Sequence, residues 1–445
     1  MLKYYFWFLF VPIFGIGASE KPNILMILSD DQGWTDYGFM GHEHIETPYL
    51  DKLASESVLF KRAYVPTALC RPSLMTLATG HYVSTHGVTG NNPQSGGHHK
   101  DIPDVKEALI SKVDKFDTLP ELLADEGYLS FQCGKWWEGS YQRGGFTHGM
   151  TKGYPHKGGR HGDAGLKIGR EGNQPVADFI DMASKEEKPF FIWYAPFMPH
   201  TPHTPPERLE KKYLAKGLSS SMSKYYAMCE WFDESCGDVV DILEKRNLRK
   251  NTLIVYVCDN GWTQNPDKNG YMPASKRSPF EAGTRNPIFF SWPEHYKAVE
   301  RSELCTSLDI FPTILSAAGA KISSDLPGLN LDETFRKGGE IDRNHLFGET
   351  YAHDIQDIHD PEKTLLYRWC IEGDWKLLLN YDGMADRGKP LDPSFEKGPQ
   401  LFNLKNDPFE SKNLAHKKPE LVAKLAKKIE GWYPLKVRKA ITISK

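Results

Sequence analysis

The chain has 445 residues, of which 40% are hydrophobic and 25% are charged. Its 55 basic residues are balanced by 58 acidic ones, a net charge of −3, which argues against nucleic acid or an anionic membrane surface as a partner. A chain of this length can bury a large core, and we expect it to form two or three domains.

The first residues are typical of a secretory signal peptide. Lys3 precedes an apolar run, and the small residues Gly17, Ala18 and Ser19 follow it. The run is short and is interrupted by proline and glycine, which favours a cleaved signal; an uncleaved N-terminal anchor is the alternative. We therefore expect residues 1–19 to be removed, and the mature protein to be secreted or periplasmic with no membrane association.

Apolar runs then alternate with amphipathic segments. Buried strands are predicted over residues 23–29, 190–197, 252–258 and 287–292, because each run is almost continuously apolar. Helices are predicted to begin at Pro48 and at the capping box formed by Thr118 and Glu121, and a third covers residues 222–246. This alternation predicts an α/β sandwich whose large, mainly parallel central sheet is flanked by helices.

The pattern changes after about residue 335. Residues 367–381 predict two strands joined by a Gly-Asp turn, and residues 419–433 predict a terminal amphipathic helix. We therefore divide the mature chain into a larger α/β domain, residues 20–335, and a smaller C-terminal α+β subdomain with an antiparallel sheet, residues 336–445.

Two of the predicted strands end in oxygen-bearing side chains. Asp30 and Asp31 follow the first strand, and Asp259 and Asn260 follow the run 252–258. In an open α/β sheet, ligands bind beyond the carboxyl ends of the strands, and hard oxygen ligands suit Ca²⁺ or Mg²⁺. Either motif alone could instead be an ordinary turn or helix cap. Together they predict a metal site.

Cys70 lies where a helix is expected to begin. Pro72 is typical of a first helical turn, and Gly80 is a stop signal. A cysteine at a helix N-terminus could be a thiolate nucleophile with a lowered pKa. The alternative from this segment alone is a buried structural cysteine.

These elements occur in a fixed order together with a further motif near residue 280. The residues that carry the pattern are Asp30, Asp31, Gly33, Cys70, Pro72, Ser73, Thr79, Gly80, Asp259, Asn260, Gly261, Lys276, Phe280, Glu281, Gly283, Arg285 and Pro287. In this order they resemble the type I, formylglycine-dependent sulfatase family of the alkaline-phosphatase superfamily, and the resemblance spans roughly residues 22–415. His86, Lys135 and His200 also lie in segments that fall in the family's order.

The resemblance implies a cofactor and a metal. Cys70 would be oxidised to formylglycine by a maturation enzyme and would act as the aldehyde hydrate. The hydrate suits the reaction because its second hydroxyl allows sulfate to be expelled, whereas a serine would remain as an inert sulfate ester. The cation, Ca²⁺ or alternatively Mg²⁺, would be held by the modified Cys70 and by Asp30, Asp31, Asp259 and Asn260.

The resemblance also implies roles for four further side chains. Lys135 and Lys276 would hold the sulfate oxygens, whose negative charge grows in the transition state. His200, with Lys276, would protonate the leaving alcohol. His86 would hydrogen-bond the hydrate and act as the base of the second step.

Two positions depart from the family pattern. Leu74 stands where the cysteine motif has an arginine that helps both to anchor the formylglycine and to recruit the maturation enzyme. Trp137 replaces a substrate-facing histidine, and we take it as a substrate-binding residue together with Lys135, His200 and Lys276. Trp34 and Trp262 are further candidates for packing against a sugar, or else belong to the core.

The predicted function is therefore hydrolysis of a sulfate ester on a sulfated carbohydrate. One alternative is a formylglycine-dependent phosphodiester or phosphonate hydrolase, because phosphoryl and sulfuryl groups need similar cations. The other is a catalytically silent glycan-binding homologue in which Cys70 stays a thiol.

Overall fold

The computed structural model describes residues 21–94, 99, 101–156, 164–381 and 398–436. The predicted signal peptide, residues 1–19, lies outside the described residues. Within them, no helix is both long enough and apolar enough to span a membrane.

The strands form one large sheet, one smaller sheet and two short two-stranded pairs. In chain order they are β1 (Asn23–Ser29), β2 (Val58–Phe60), β3 (Ala63–Tyr64), β4 (Asn92–Pro93), β5 (Leu129–Gly134), β6 (His148–Gly149), β7 (Phe190–Ala195), β8 (Thr252–Cys258), β9 (Ile288–Ser291), β10 (Val299–Arg301), β11 (Cys305–Thr306), β12 (His345–Tyr351), β13 (Asp354–Ile355), β14 (Leu365–Glu372), β15 (Trp375–Asn380) and β16 (Gln400–Asn403).

The large sheet has eight strands in the order β10-β2-β9-β8-β1-β7-β5-β6. Its pairings are parallel except for those of β9 with β2 and β8. This confirms the predicted mainly parallel central sheet. The predicted strands 23–29 and 252–258 coincide with β1 and β8, and both are buried because helices cover the two faces.

The helices within the described residues are α1 (Pro48–Ser55), α2 (Cys70–Thr79), α3 (Val83–His86), α4 (Val105–Ile110), α5 (Leu119–Asp125), α6 (Gln174–Lys185), α7 (Glu207–Leu214), α8 (Ser220–Lys245), α9 (Glu281–Thr284), α10 (Ile310–Ala318), α11 (Asp332–Lys337) and α12 (Pro419–Trp432). The helix predicted at Pro48 is α1. The predicted capping box starts α5, where both of its reciprocal hydrogen bonds are present.

Side chains on the two faces of β1 pack against two different layers of helices. Ile24 and Met26 pack in the same core cluster as apolar residues of α2, α5 and α10. Leu25 and Ile27, on the opposite face, pack with residues of α1, α6 and α8. Successive side chains of a strand point to opposite faces, so the sheet is covered by a helical layer on each side.

The smaller sheet contains β12-β14-β15-β16 and is antiparallel. Strands β14 and β15 are joined at Gly373 and Asp374, as the sequence predicted, and α12 packs against them through a separate cluster that includes Leu377 and Leu425. The fold class is therefore confirmed. The boundary between residues 335 and 336 stays a prediction; it falls within α11, between the last strand of the large sheet and the first of the smaller one.

A buried ion cluster connects the smaller sheet to the segment at α9. Lys376 Nζ, on β15, lies 3.0 Å from Glu281 Oε1 and 3.1 Å from Glu410 Oε1. The Tyr64 hydroxyl donates to Glu281 Oε2 at 3.0 Å, and the Glu281 backbone N–H donates to Glu410. All four side chains are buried. Each charge therefore depends on its partners for the solvation that water would otherwise provide.

Candidate active site

Parallel pairing of β1 and β8 brings the two acidic strand ends together. Ser29 lies opposite Cys258 in the register, so the residues that follow both strands leave the same edge of the sheet. The Asp31 N–H lies 3.3 Å from Asp259 Oδ1, and Asn260 Nδ2 donates to Asp31 Oδ1 at 2.7 Å. Asp31 adopts a left-handed conformation, with φ at 62°, which turns the chain sharply at this edge.

Cys70 is the first residue of α2 and is buried. Its Sγ lies 3.8 Å from Asp30 Oδ1, 4.0 Å from Asp31 Oδ1 and 3.1 Å from Lys276 Nζ. Burial raises the pKa of the Cys70 thiol, and the neighbouring charges of Lys135 and Lys276 do not reverse this shift. The interpretation of Cys70 as a thiolate with a lowered pKa is therefore wrong; desolvation outweighs the nearby cations.

Two buried lysines bracket the carboxylates. Lys135 Nζ, just after β5, lies 2.5 Å from Asp30 Oδ2 and 3.3 Å from Asp259 Oδ2. Lys276 Nζ lies 2.5 Å from Asp31 Oδ1. Burial alone would lower the pKa of each lysine, but the surrounding carboxylates raise it, so both ammonium groups stay charged. The site thus holds two permanent cations aimed at the Cys70 end of α2.

The donor set fits a divalent cation. Asp30, Asp31, Cys70 and His200 each offer one ligand atom, and these atoms lie within 4.8 Å of one another. Asn260 Oδ1 is buried and has no hydrogen-bond partner among the described residues. Burial and the charge of Asp30 raise the pKa of Asp259 to about 8, a repulsion that a cation between the carboxylates would relieve. Carboxylate and amide oxygens are the ligands that Ca²⁺ and Mg²⁺ prefer.

His200 lies beside Asp31, in the loop that follows β7. Its Nε2 is 3.4 Å from Asp31 Oδ2, and its Nδ1 is 2.6 Å from the Thr201 carbonyl oxygen. The carbonyl can only accept, so Nδ1 carries a proton and the neutral ring has a bare Nε2 facing the site. Burial lowers the pKa of His200, although Asp30 and Asp31 counteract it.

His86 lies at the end of α3 and is buried. Its Nδ1 accepts from the Val88 N–H at 3.1 Å, and its Nε2 is 3.3 Å from Thr76 Oγ1, so the ring is packed along α2. None of the contacts found among the described residues joins His86 to the Cys70 sulfur. The role of His86 as a base stays a prediction.

Both departures from the family pattern are buried, in the same large core cluster. Leu74 is buried in the same core cluster as Cys70. Arg71 instead forms a buried bidentate pair with Glu138, at 2.7 and 2.6 Å, and its backbone N–H donates to Asn91 Oδ1 at 3.2 Å. Trp137 is 8% exposed and lies between two cations, its ring centroid 5.9 Å from the Arg71 guanidinium and 5.8 Å from Lys135 Nζ. A substrate contact for Trp137 stays a prediction.

A cavity of about 530 Å³ opens over this cluster. Its lining residues are Asp31, His200, Thr201, Trp262, Asn269, Gly270, Tyr271, Lys276, Arg277 and His353. Trp262 is therefore placed at the cavity, whereas Trp34 packs against Arg285, with 4.0 Å from the guanidinium to its ring centroid, and against Phe409.

Sequence reasoning missed six of the cavity residues: Thr201, Asn269, Gly270, Tyr271, Arg277 and His353. Arg277 directly follows Lys276, and that adjacency was a usable signal. Tyr271 had no such signal, and neither did His353, which lies just before the short strand β13 and more than 70 positions beyond Lys276 in the chain.

Comparison with known proteins identifies the family. The sulfatase family model matches residues 22–320. N-acetylgalactosamine-6-sulfatase from Rattus norvegicus is 30% identical over 367 residues, covering 74% of this chain and 68% of that protein. Arylsulfatase A from Bos taurus is 27% identical over 451 residues, covering 90% of this chain and 84% of that protein. Among solved structures, Ps i-CgsB superposes with a TM-score of 0.72 at 26% identity, covering 93% of this chain and 92% of the other.

The chain belongs to the sulfatase family, and it is a sulfuric ester hydrolase. The sequence prediction of the family, the fold and the enzyme class is confirmed. The comparisons do not favour the phosphodiester, phosphonate or silent glycan-binding alternatives. A phosphonate monoester hydrolase of Agrobacterium radiobacter shares the fold at 19% identity, which carries no argument about activity.

Proposed function

We propose that this sulfatase removes sulfate from a sulfated carbohydrate, with a formylglycine made from Cys70 and a Ca²⁺ ion at the strand ends. The observation that supports the proposal most directly is the meeting of Cys70, two charged lysines and the carboxylates of Asp30 and Asp31 in one cluster. Asp31 and Lys276 of this cluster also line the cavity. The carbohydrate class is supported by the relatives: one is named for N-acetylgalactosamine-6-sulfate hydrolysis, and Ps i-CgsB has been solved with k-i-k-neocarrahexaose.

Each residue then has a task. Asp30, Asp31, Asp259 and Asn260 would hold a cation through their side-chain oxygens, and that cation would add positive charge beside the sulfate. Cys70, once converted to formylglycine and hydrated, would provide the nucleophilic oxygen. Lys135 and Lys276 bind the sulfate oxygens, where preorganised cations in a buried site stabilise the growing negative charge.

Departure of the sugar requires a proton. The proposal gives this step to His200, which lines the cavity and whose Nε2 lies 3.4 Å from Asp31 Oδ2 while its Nδ1 is held by the Thr201 carbonyl. Protonated at Nε2, the ring donates that proton to the leaving oxygen, and the neutral ring remains oriented by the same carbonyl.

Two further parts of the proposal concern the export and the maturation of the protein. Residues 1–19 direct export, to the periplasm or the outside of the cell, and a maturation enzyme oxidises Cys70. Leu74 bears on the oxidation of Cys70, because the family motif has an arginine at this position. Here that position is filled by a side chain of the apolar core.

The test is mass spectrometry of the Cys70 peptide, together with sulfate release from a panel of sulfated sugars, using protein made with a competent maturation system. We expect the peptide to carry an aldehyde that reacts with hydrazide reagents, and Cys70→Ala to abolish turnover without a loss of fold. Cys370→Ala is the matched control, since Cys370 is an equally buried free thiol in the smaller sheet. An alkylatable Cys70 thiol and no cleavage of any sulfate ester would refute the proposal.

A further inference from the structure

The sharp turn at Asp31 depends on contacts with the residues around it. Asp31 has φ at 62°, in the left-handed region that a residue with a Cβ rarely adopts, and such a conformation persists only where neighbouring groups hold it. The carboxylate of Asp31 is one of the side chains proposed to hold the cation. The groups that hold this turn therefore also set the position of a cation ligand.

A carboxylate five residues further along the chain provides this support. Asp36 is 7% exposed, and its Oδ2 accepts the Gly33 N–H at 3.1 Å and the Tyr225 hydroxyl at 2.7 Å. The same hydroxyl lies 3.3 Å from the Asp31 carbonyl oxygen and 3.3 Å from the Gly33 nitrogen. Asp36 and Tyr225 thus contact the backbone on both sides of Gln32, directly after the left-handed turn.

Gly33 allows the Asp36 carboxylate to come this close. A Cβ at Gly33 would lie 2.6 Å from Asp36 Oδ2 and 2.5 Å from the Trp262 carbonyl oxygen, and both distances are too short for non-bonded atoms. Trp262 directly follows the acidic segment 259–261, so the second cation-binding loop packs against the first at this point. Asp36 therefore supports the place where the two loops meet.

Further hydrogen bonds tie this loop to Asp36. The Asp36 N–H donates to the Gly33 carbonyl at 2.9 Å, and Gln32 Nε2 donates to the Asp36 carbonyl at 2.9 Å. Gln32 is buried, and its Oε1 accepts from Ser29 Oγ at 2.6 Å. These contacts close the segment into one hydrogen-bonded turn. Tyr225 belongs to α8, so it also attaches the turn to a helix of the flanking layer.

The other groups at the Asp36 carboxylate are also uncharged hydrogen-bond donors at pH 7. Thr35 Oγ1 donates to Oδ1 at 3.0 Å. His42 Nδ1 accepts from the backbone N–H groups of His44 and Ile45, at 3.0 and 2.8 Å, so the proton of the neutral ring is on Nε2, 4.0 Å from Asp36 Oδ1. Burial lowers the pKa of His42, which keeps the ring neutral at pH 7. Asp36 therefore acts on the loop as a hydrogen-bond acceptor.

We infer that Asp36 is a positioning residue for the cation site. Together with the Tyr225 hydroxyl it holds the turn at Asp31, so that the Asp31 carboxylate is in place before Ca²⁺ binds. Asp36 itself is neither a ligand nor a contact of the reacting atoms. The inference rests on the cation of the proposed function, and it assigns to Asp36 and Tyr225 a share of the Ca²⁺ affinity.

Calorimetric titration with Ca²⁺ tests this on enzyme freed of metal by a chelator. Asp36→Ala should weaken Ca²⁺ binding roughly 10- to 100-fold, the range for partners that orient metal ligands. Tyr225→Phe loses only the hydroxyl and should weaken binding roughly 2- to 10-fold, as expected for one hydrogen bond. Asp36→Asn keeps an acceptor oxygen and should recover most of the affinity that Asp36→Ala loses. The Ca²⁺ concentration for half-maximal sulfate release should rise by the same factors.

Tyr226→Phe is the matched control. Tyr226 is the next residue of the same helix and is buried, its ring packs on His42 with 4.9 Å between centroids, and its hydroxyl forms no hydrogen bond to Asp31 or Asp36 within the described residues. This variant should bind Ca²⁺ as the parent enzyme does. Urea denaturation in excess chelator shows whether each variant is folded before the cation is added. If Asp36→Ala is not, the comparison of Tyr225→Phe with Tyr226→Phe decides the question.

The outcomes separate this inference from the proposed function. If the unaltered enzyme binds no Ca²⁺, the cation of the proposed function fails, and the inference fails with it. If the enzyme binds Ca²⁺ but Asp36→Ala and Tyr225→Phe bind it equally well, or if Tyr225→Phe and Tyr226→Phe lose equal affinity, the role of Asp36 is refuted while the proposed function stands. Equal losses in Asp36→Ala and Asp36→Asn would also refute positioning, because only the charge of Asp36 would then matter.

Discussion

Removing Glu138 should destabilise the protein far more than removing a similar acid at the surface. Glu138 pairs with Arg71 through two hydrogen bonds, and the side chains are 3% and 6% exposed. In Glu138→Ala the Arg71 guanidinium keeps the Asn91 carbonyl, at 3.2 Å, but loses its counter-charge inside the protein. Breaking a buried pair from one side costs about 3–5 kcal/mol of unfolding free energy, because the remaining charge is left without water or a counter-charge.

The surface pair of Arg246 and Asp181 is the matched control. It is also bidentate, at 2.6 and 2.8 Å, but Asp181 is more than half exposed. Asp181→Ala should cost only about 0–1 kcal/mol. Urea denaturation of the two variants and the parent enzyme measures both losses under one condition.

A third variant tests whether the cost comes from the unpaired buried charge. Replacing both partners, as Arg71→Met with Glu138→Leu, removes the buried charges together and should cost much less than Glu138→Ala alone. If Glu138→Ala costs no more than Asp181→Ala, or if the double variant is the least stable of the three, the buried Arg71–Glu138 pair does not carry a desolvation penalty that its partner offsets.

Three further predictions concern the cation, the proton and the pH dependence. Chelation should lower both the melting temperature and the activity, and Ca²⁺ should restore them; Asp259→Ala should bind less Ca²⁺ by calorimetry, and full metal content and activity in that variant would contradict the site. His200→Ala should slow a sugar sulfate about 10²- to 10⁴-fold but an activated aryl sulfate much less, because an aryl leaving group needs no proton; equal losses would indicate a structural role. Burial raises the pKa of Glu349 from 4.5 to about 7, so its contribution to stability is present below pH 4.5 and is lost as the pH rises to about 7. Between pH 4.5 and pH 8 the unfolding free energy of Glu349→Gln should therefore fall by about 3 kcal/mol less than that of the parent enzyme. An unchanged pH dependence would contradict the raised pKa of Glu349.

Local patterns carried most of the fold prediction. β1 and β8 were predicted at their observed ends because a strand covered on both faces is continuously apolar and stops where charge begins. The edge strand β10 is exposed and was missed, since Val299–Arg301 has no apolar run to mark it. The two-residue strands β3 and β11 pair only through the tertiary fold, so no local period could indicate them.

The site residues could be predicted where they belong to short motifs at the ends of predicted strands. Asp30, Asp31, Asp259 and Asn260 could be placed together because parallel strands end at the same edge of a sheet. The pairing of Arg71 with Glu138 could not be predicted, because 67 residues separate the partners and nothing in either segment specifies the other. The same limit applies to His353, which reaches the cavity only because the two regions of the chain pack together.

The ion cluster at Lys376 limits where the protein can be truncated or joined to part of a relative. Glu281 lies five residues after Lys276, and it shares the ammonium of Lys376 with Glu410. A shortened protein that ended before the smaller sheet would leave Glu281 buried near Tyr64 without that ammonium. Truncations and chimaeras should therefore keep both regions from one parent, since the smaller sheet supplies a counter-charge to the segment that holds a sulfate-binding lysine.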